Sequence, residues 1–183
     1  MRSIPESFFS RDSVLVAQEL IGKIIEIGGC QVRIVETEAY KRDKASHAFT
    51  KTNRSALMYE SYGHVYVYFI YGMYWCLNFT TEKGDAGAVL IRAAEPLVGI
   101  EEMQERRGKT KAVELCSGPG KLCRALGIDG SFNATKIGHT VRLLDDGLRA
   151  FKVGHSARVG ITQDTHLEWR FFMEGNGCVS KNR

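Results

Sequence analysis

Apolar and polar positions along this chain fall into short runs whose period changes several times from helical to strand-like. Over residues 10–22, SRDSVLVAQELIG, apolar side chains at Val14, Leu15, Ala17, Leu20 and Ile21 recur at helical spacing. Ser10 or Asp12 stands where a cap belongs, and Gly22 supplies a stop. Period two takes over in KIIEIGGCQVRIVETEAY, which reads as two strands around Gly28-Gly29. Residues 41–64 have little periodicity and read as a long connection with a helical turn near Ser55–Tyr59. Connections of that length in compact domains are functional or disordered.

A second hairpin is expected over 65–71 and 74–81, followed by a strand over 87–93. Pro96 then precedes a helix near 98–107, with Glu101, Glu102, Glu105, Arg106 and Arg107 on a solvated face. LCSGPGKLCRALGI reads as a loop feeding a short helix that Gly127 ends, and short strands are expected near 140–143, 156–161 and 168–173. The whole reads as one mixed α+β domain, residues 1–183, with antiparallel strands dominating.

Composition narrows the classes only a little. The chain has 183 residues, 44% apolar and a quarter charged, an ordinary balance for one soluble domain. A net charge of +4 permits attraction to a phosphate backbone without demanding it. Cys30, Cys76, Cys116, Cys123 and Cys178 include no C-x-x-C pair, so a metal site is not expected and buried, reduced thiols are. MRSIPESFF lacks an apolar targeting core, and no run approaches the ~18 apolar residues of a membrane helix. A cytoplasmic or nuclear-type compartment is the expectation.

Several groups of residues carry candidate chemistry. In VETEAY, residues 35–40, strand alternation puts Glu36, Glu38 and Tyr40 on one face with Val32 and Ile34 behind them. A carboxylate ending an apolar strand can act as a general base toward water, but the same pattern suits an exposed face with ordinary charges. His47 in SHAF suits a structural hydrogen bond or a site residue. In YVYFIYGMYWCLN, Trp75, Leu77 and Phe79 make an apolar face, while Tyr74, Cys76 and Asn78 share the other. Asn78 could read a ligand edge, and Tyr66 and Tyr68 offer flat surfaces for stacking or simply fill a half-wet sheet. Tyr71-Gly72-Met73 looks like an exposed turn tip, an odd place for a large aromatic. GPGK, residues 118–121, could present main-chain N–H groups and Lys121 to a phosphate. Arg54, Arg92, Arg124 and Arg158 add scattered basic character.

Taken together, RIVETEAY, ASHAF, HVYVYFIYGMYWCLN, AVLIRAAEP, LCSGPGKLCRALGI and RVGI occur in an order that resembles the alkyladenine (3-methyladenine, or methylpurine) DNA glycosylases, across residues 8 to 175. The resemblance implies a curved antiparallel sheet with short flanking helices and a protruding hairpin. It implies a monofunctional base-excision enzyme that flips alkylated or deaminated purines out of duplex DNA and hydrolyses the N-glycosidic bond. No cofactor and no metal are implied, and a monomer is the default for such a scanner.

By the same resemblance Glu38 is the catalytic acid that activates water, and Arg92 and the Ile161 carbonyl position that water. Tyr40, His47 and Tyr68 would hold the base, Met58 and Leu90 floor the pocket, and the bulk of Asn78 obstructs the 2-amino group of guanine. Tyr71 and Met73 would enter the minor groove, and Tyr74, Lys121 and Arg124 would meet the backbone. Glu36 takes a structural part. The short KRDKAS connection and the TQDTHLEW stretch are closer to bacterial than to vertebrate members, which places the protein in the bacterial cytoplasm, or in the nucleus of a eukaryote. Two rival classes remain: a non-catalytic lesion-binding module and a free-nucleoside hydrolase.

Overall fold

A computed structural model describes residues 1–181; the last two positions of the expected 1–183 domain lie outside the described residues. In chain order the elements are β1 (Arg2–Ser3), α1 (Ser13–Leu20), β2 (Ile24–Ile27), β3 (Cys30–Tyr40), α2 (Ala56–Glu60), β4 (Val65–Ile70) and β5 (Tyr74–Thr81). They continue with β6 (Gly87–Val98), α3 (Ile100–Arg107), α4 (Pro119–Leu126), β7 (Arg142–Asp145), β8 (Val153–Ser156) and β9 (Arg170–Met173). All the strands join one sheet in the order β1-β7-β2-β3-β6-β5-β4, with β9 against both β3 and β8. Every pairing is antiparallel.

Helix α1 starts where its cap dictates. The Asp12 carboxylate accepts the Val14 and Leu15 N–H groups, satisfying donors the first turn leaves free. Ser13 therefore faces inward, its hydroxyl meeting Thr81 and Glu82, and the buried stripe is Val16, Ala17 and Leu20. Leu15, expected inside, is exposed for the same reason. Together with Met103 of α3 and Leu122, Cys123, Ala125 and Leu126 of α4, this stripe packs on one face of the sheet. Each fully buried aliphatic side chain there contributes roughly 1.5–3 kcal/mol of transfer free energy.

The other face is covered by the 41–64 connection. Its α2 and a 3-10 turn at His47–Phe49 build a smaller apolar cluster of Ala48, Met58, Tyr66, Ala86 and Ala88, with Tyr40, Leu57, Tyr59 and Tyr68 against it. The segment is neither bare nor regular; it forms a roof.

Two compensating bulges decide what β3 presents on that side. Ile34 pairs with Ala94 and Glu36 with Ala93, so Val35 is an extra residue on β3; Glu36 pairs with Ala93 and Thr37 with Ile91, so Arg92 is extra on β6. The first bulge breaks the expected alternation. Val32, Ile34, Val35 and Ala39 all join the main core, while Glu36, Glu38 and Tyr40 turn the other way. Val32 and Ile34 thus do not back the carboxylates as simple period two requires. Bulges re-aim side chains in this manner, and here one re-aims Arg92 as well.

Other boundaries differ from expectation. Pro96 lies inside β6 rather than after it, beside a register shift where the ladder needs no N–H from it. The strand expected over 156–161 is β8, which ends at Ser156 and leaves RVGI as irregular chain with Gly160 at positive φ. The five cysteines are buried and unpaired. Among the described residues no helix is long and apolar enough to cross a membrane.

Candidate active site

Cross-strand register draws the site as a line. Tyr66 of β4 pairs with Asn78 of β5, Asn78 with Leu90 of β6, Leu90 with Glu38 of β3, and Glu38 with Arg170 of β9. Directly opposed residues share a face. The roofed face therefore runs from an aromatic end to a charged end without interruption.

At the charged end Glu36 and Glu38 are both fully buried. Glu36 accepts from Arg92 Nε at 3.2 Å, Arg170 Nε at 2.7 Å, and the Ser180 N–H and hydroxyl. Glu38 is held differently. Its Oε1 accepts the Val159 N–H at 2.6 Å, and its Oε2 accepts the Tyr40 hydroxyl at 2.8 Å and Arg92 Nη1 at 3.4 Å. Burial pushes the Glu38 carboxyl above the ordinary carboxylate range, with Arg92, the Val159 N–H and the Tyr40 hydroxyl pulling against it. Such a group is basic yet anchored in its anionic form.

At the aromatic end a pocket of about 90 Å³ opens beneath the roof, lined by Tyr40, Ala45, Ser46, His47, Met58, Tyr66, Tyr68, Asn78 and Ala88. Tyr40 belongs to both ends: its ring lines the pocket while its hydroxyl binds Glu38. The His47 and Tyr68 rings meet edge to face at 4.7 Å, and His47 Nδ1 lies 3.0 Å from the Tyr66 hydroxyl. Burial, then the nearby Arg54 charge, lowers the His47 pKa, so the imidazole is neutral near pH 7. Burial raises the Tyr66 hydroxyl to about 12, and the Tyr40 and Tyr68 hydroxyls are pushed up too, so all three stay protonated donors. The Asn78 amide donates to the Tyr66 and Cys76 carbonyls, which fixes its orientation.

The sequence named most of this lining, and the structure brings Glu38, Arg92, Tyr40, His47, Met58, Tyr68 and Asn78 together. Leu90 lies in the cross-strand line between Asn78 and Glu38, not in the pocket wall. Ile161 lies two residues beyond Val159 and outside the lining. Arg54 and Arg158 are not merely scattered surface charge. Arg54 stands over the Tyr68 ring at 4.9 Å, and Arg158 is buried beside Tyr40. Nothing in the spacing of either arginine distinguishes it, because each reaches the site through irregular chain.

The hairpin tip is the second feature. β6 pairs with β5 only from Asn78 to Thr81, so the outer half of the β4–β5 hairpin stands beyond the sheet. Tyr71 and Gly72 both have positive φ, 52° and 65°, and the Met73 N–H closes the turn onto the Ile70 carbonyl. A left-handed conformation is natural for glycine and costs a bulky residue about 1–3 kcal/mol. Tyr71 is nonetheless 85% exposed, so no burial offsets that strain, and Met73 beside it is exposed too. Behind the tip, Tyr74 packs on Gly120 of α4 so closely that a Cβ there would stand 2.8 Å from the ring. Lys121 reaches Ser117 and is exposed, whereas Arg124 is tied back to the Arg106 carbonyl.

Proteins already grouped by sequence resemble this chain over nearly its whole length. The profile of the methylpurine-DNA glycosylases matches residues 7–177. A protein of Agrobacterium fabrum strain C58, named a candidate 3-methyladenine DNA glycosylase, is 45% identical over 180 residues, covering 97% of this chain and 92% of its own. Proteins with the same name in Rhizobium etli and Clostridium perfringens are 46% and 44% identical, covering 96% and 95% of this chain and 87% and 97% of their own. The matched segment includes the positions of the buried carboxylate, the aromatic pocket and the strained tip, and the chain belongs to the methylpurine-DNA glycosylase family.

Proposed function

We propose that this chain is a monofunctional DNA repair glycosylase that excises alkylated and deaminated purines, 3-methyladenine and 7-methylguanine among them, with hypoxanthine and ethenoadenine as further substrates. The observation that carries the reading is Glu38: a fully buried carboxylate, fixed by three donors, at one end of a line whose other end is an aromatic pocket. A pocket of about 90 Å³ is far below the several hundred Å³ of ordinary ligand sites. It suits one flat base with its sugar outside, beside the carboxylate.

A base inside a duplex cannot reach such a place without rotating out, at a cost of a few kcal/mol. Tyr71, exposed and strained at the tip, is suited to fill the vacated stack, with Met73 beside it and Tyr74, Lys121 and Arg124 toward the backbone. Once in the pocket, an electron-poor alkylated ring stacks on Tyr40 and Tyr68. With the Tyr66 hydroxyl donating to Nδ1, neutral His47 offers its Nε2–H to the base edge. Met58 supplies apolar contact, and Asn78, locked by two main-chain carbonyls, obstructs a 2-amino group.

Glu38 then deprotonates a water that attacks C1′ from the face opposite the leaving base, and its charge stabilises the oxocarbenium-like sugar. Arg92 holds the carboxylate and the water in line, with the Ile161 carbonyl as a further acceptor. 3-Methyladenine and 7-methylguanine nucleotides already carry positive charge and release a neutral base when the bonding pair departs with it, so they need no acid from the protein; hypoxanthine and ethenoadenine are neutral and leave only when protonated at N7. The intact Glu38–Arg92 pair disfavours a lesion-binding module, and the strained exposed Tyr71 disfavours a hydrolase of free nucleosides. The enzyme acts as a monomer on double-stranded DNA in the bacterial cytoplasm.

The test is excision from duplexes carrying a single 3-methyladenine, hypoxanthine or ethenoadenine, read as alkali-labile strand breaks. The wild type should cleave at one or more of these lesions, and Glu38→Gln should not. No excess over the Glu38→Gln variant on any of the three would remove the enzyme reading.

A further inference from the structure

Arg158 is 4% exposed, and its guanidinium fork holds Asp43 at 2.7 and 3.2 Å. Its Nη1 also donates to the Ala39 carbonyl at 3.2 Å. The guanidinium carbon stands over two rings, Tyr40 at 4.7 Å and Trp169 at 5.2 Å. Among the described residues its Nε meets no acceptor.

Each end of this ion pair leads into the site. The residue after Arg158 is Val159, whose N–H is the 2.6 Å donor to Glu38 Oε1. Asp43 accepts the Lys41 and Ala45 N–H groups, and its carbonyl accepts the Ser46 N–H. Ser46 in turn caps the turn that carries His47. Tyr40 is gripped at the ring by Arg158 and at the hydroxyl by Glu38.

We infer that the Arg158–Asp43 pair is a positioning clamp for the proposed reaction: one buried contact sets the aromatic wall, the histidine turn and the main-chain donor to the base Glu38. The inference rests on the glycosylase reading above. It also says why irregular chain after β8 is drawn against the end of β3, where no ladder would bring it. A lysine in place of Arg158 keeps the charge but cannot fork onto a carboxylate or stack flat on two rings.

Loss of the clamp frees the Val159 N–H, and with it a donor that favours the ionised form of Glu38. Tyr40, which the clamp also grips, loosens in the same sense, because its hydroxyl too favours the ionised form; the remaining groups facing Glu38 stay in place: Glu36 on β3, Arg92 on β6, Arg170 on β9, and Tyr68 and Cys76 of the hairpin. The acidic limb of the excision rate should therefore move to higher pH. Displacement of a positioned group by about 1 Å costs on the order of 10²-fold in rate.

Single-turnover excision from a hypoxanthine duplex should be measured across pH for the wild type, Arg158→Lys and Asp43→Asn, with thermal unfolding in parallel. Folded variants should excise on the order of 10²-fold more slowly, with the acidic limb shifted upward in both. An unchanged rate, or a slower rate with the limb unmoved, overturns the clamp. So does failure of both variants to fold, since the pair would then define the fold and not the site. Inactivity of the wild type on every lesion tested would instead overturn the glycosylase reading, so the two failures are distinct.

Discussion

Glu36 and Glu38 stand two residues apart on one face of β3 and share the guanidinium of Arg92, yet their surroundings differ in kind. Glu36 accepts from Arg92, Arg170 and Ser180, none of which lines the pocket. Glu38 shares Tyr40 with the pocket. Spacing does not separate the two acids; their partners differ.

Glu38 should make the fold weaker as pH rises. Burial raises its carboxyl above the unfolded value of about 4.3, so between that value and the folded one the native state binds more protons than the unfolded state. Stability due to this group is present below the unfolded value and lost as pH rises through the folded one. Glu38→Gln removes this titration, so the Tm of the variant relative to the wild type should be higher at pH 7 than at pH 4. A Tm difference equal at the two pH values, or more favourable to the variant at pH 4, would contradict the raised carboxyl.

Glu36→Gln should destabilise the fold outright. Removing one partner of a buried ion pair costs about 3–5 kcal/mol, and here two guanidiniums lose a shared carboxylate charge, Arg92 keeping only its longer contact to Glu38. The fall in stability should far exceed any change made at Glu38, and chemical denaturation of the two variants side by side will show it.

Tyr71→Asn should stabilise the protein while impairing it. Asparagine tolerates the left-handed region that strains tyrosine, and the exposed ring forfeits no burial, so a gain of about 1 kcal/mol is expected. Excision from duplex DNA should slow. A hydrolase of free nucleosides would be indifferent to the change, so comparing duplex and nucleoside substrates separates the two classes.

Gly120 and Tyr74 should be coupled. Gly120→Ala puts a methyl 2.8 Å from the Tyr74 ring, which must swing away and take the tip end of the hairpin with it. Excision should fall in the wild-type background and much less in Tyr74→Ala, where only the residue 74 Cβ at 3.1 Å remains, a non-additivity that a double-mutant cycle measures. Equal losses in both backgrounds would mean that Gly120 acts on α4 alone.

Lys121, exposed and lightly held by Ser117, tests the backbone contacts. Lys121→Gln should weaken binding to damaged and undamaged duplex alike and reduce the slope of log affinity against log salt by about 1. An unchanged slope would place Lys121 off the DNA.

By itself the sequence set the local order of this protein: the hairpin at Gly28-Gly29, the aromatic hairpin and its exposed tip, α4 ended at Gly127, and the identity of the pocket-lining tyrosines. These are legible because turn chemistry and period two act over a few residues, and because the motifs occur in one order along the chain. Tertiary structure decided the rest. The paired bulges at Val35 and Arg92 break the alternation that a strand pattern assumes, and only the register of β3 on β6 shows which side each acid faces. Arg158 and Asp43 lie 115 positions apart and meet on irregular segments. Their value to the site comes from desolvation and geometry, which a chain of residue types does not contain until it is folded.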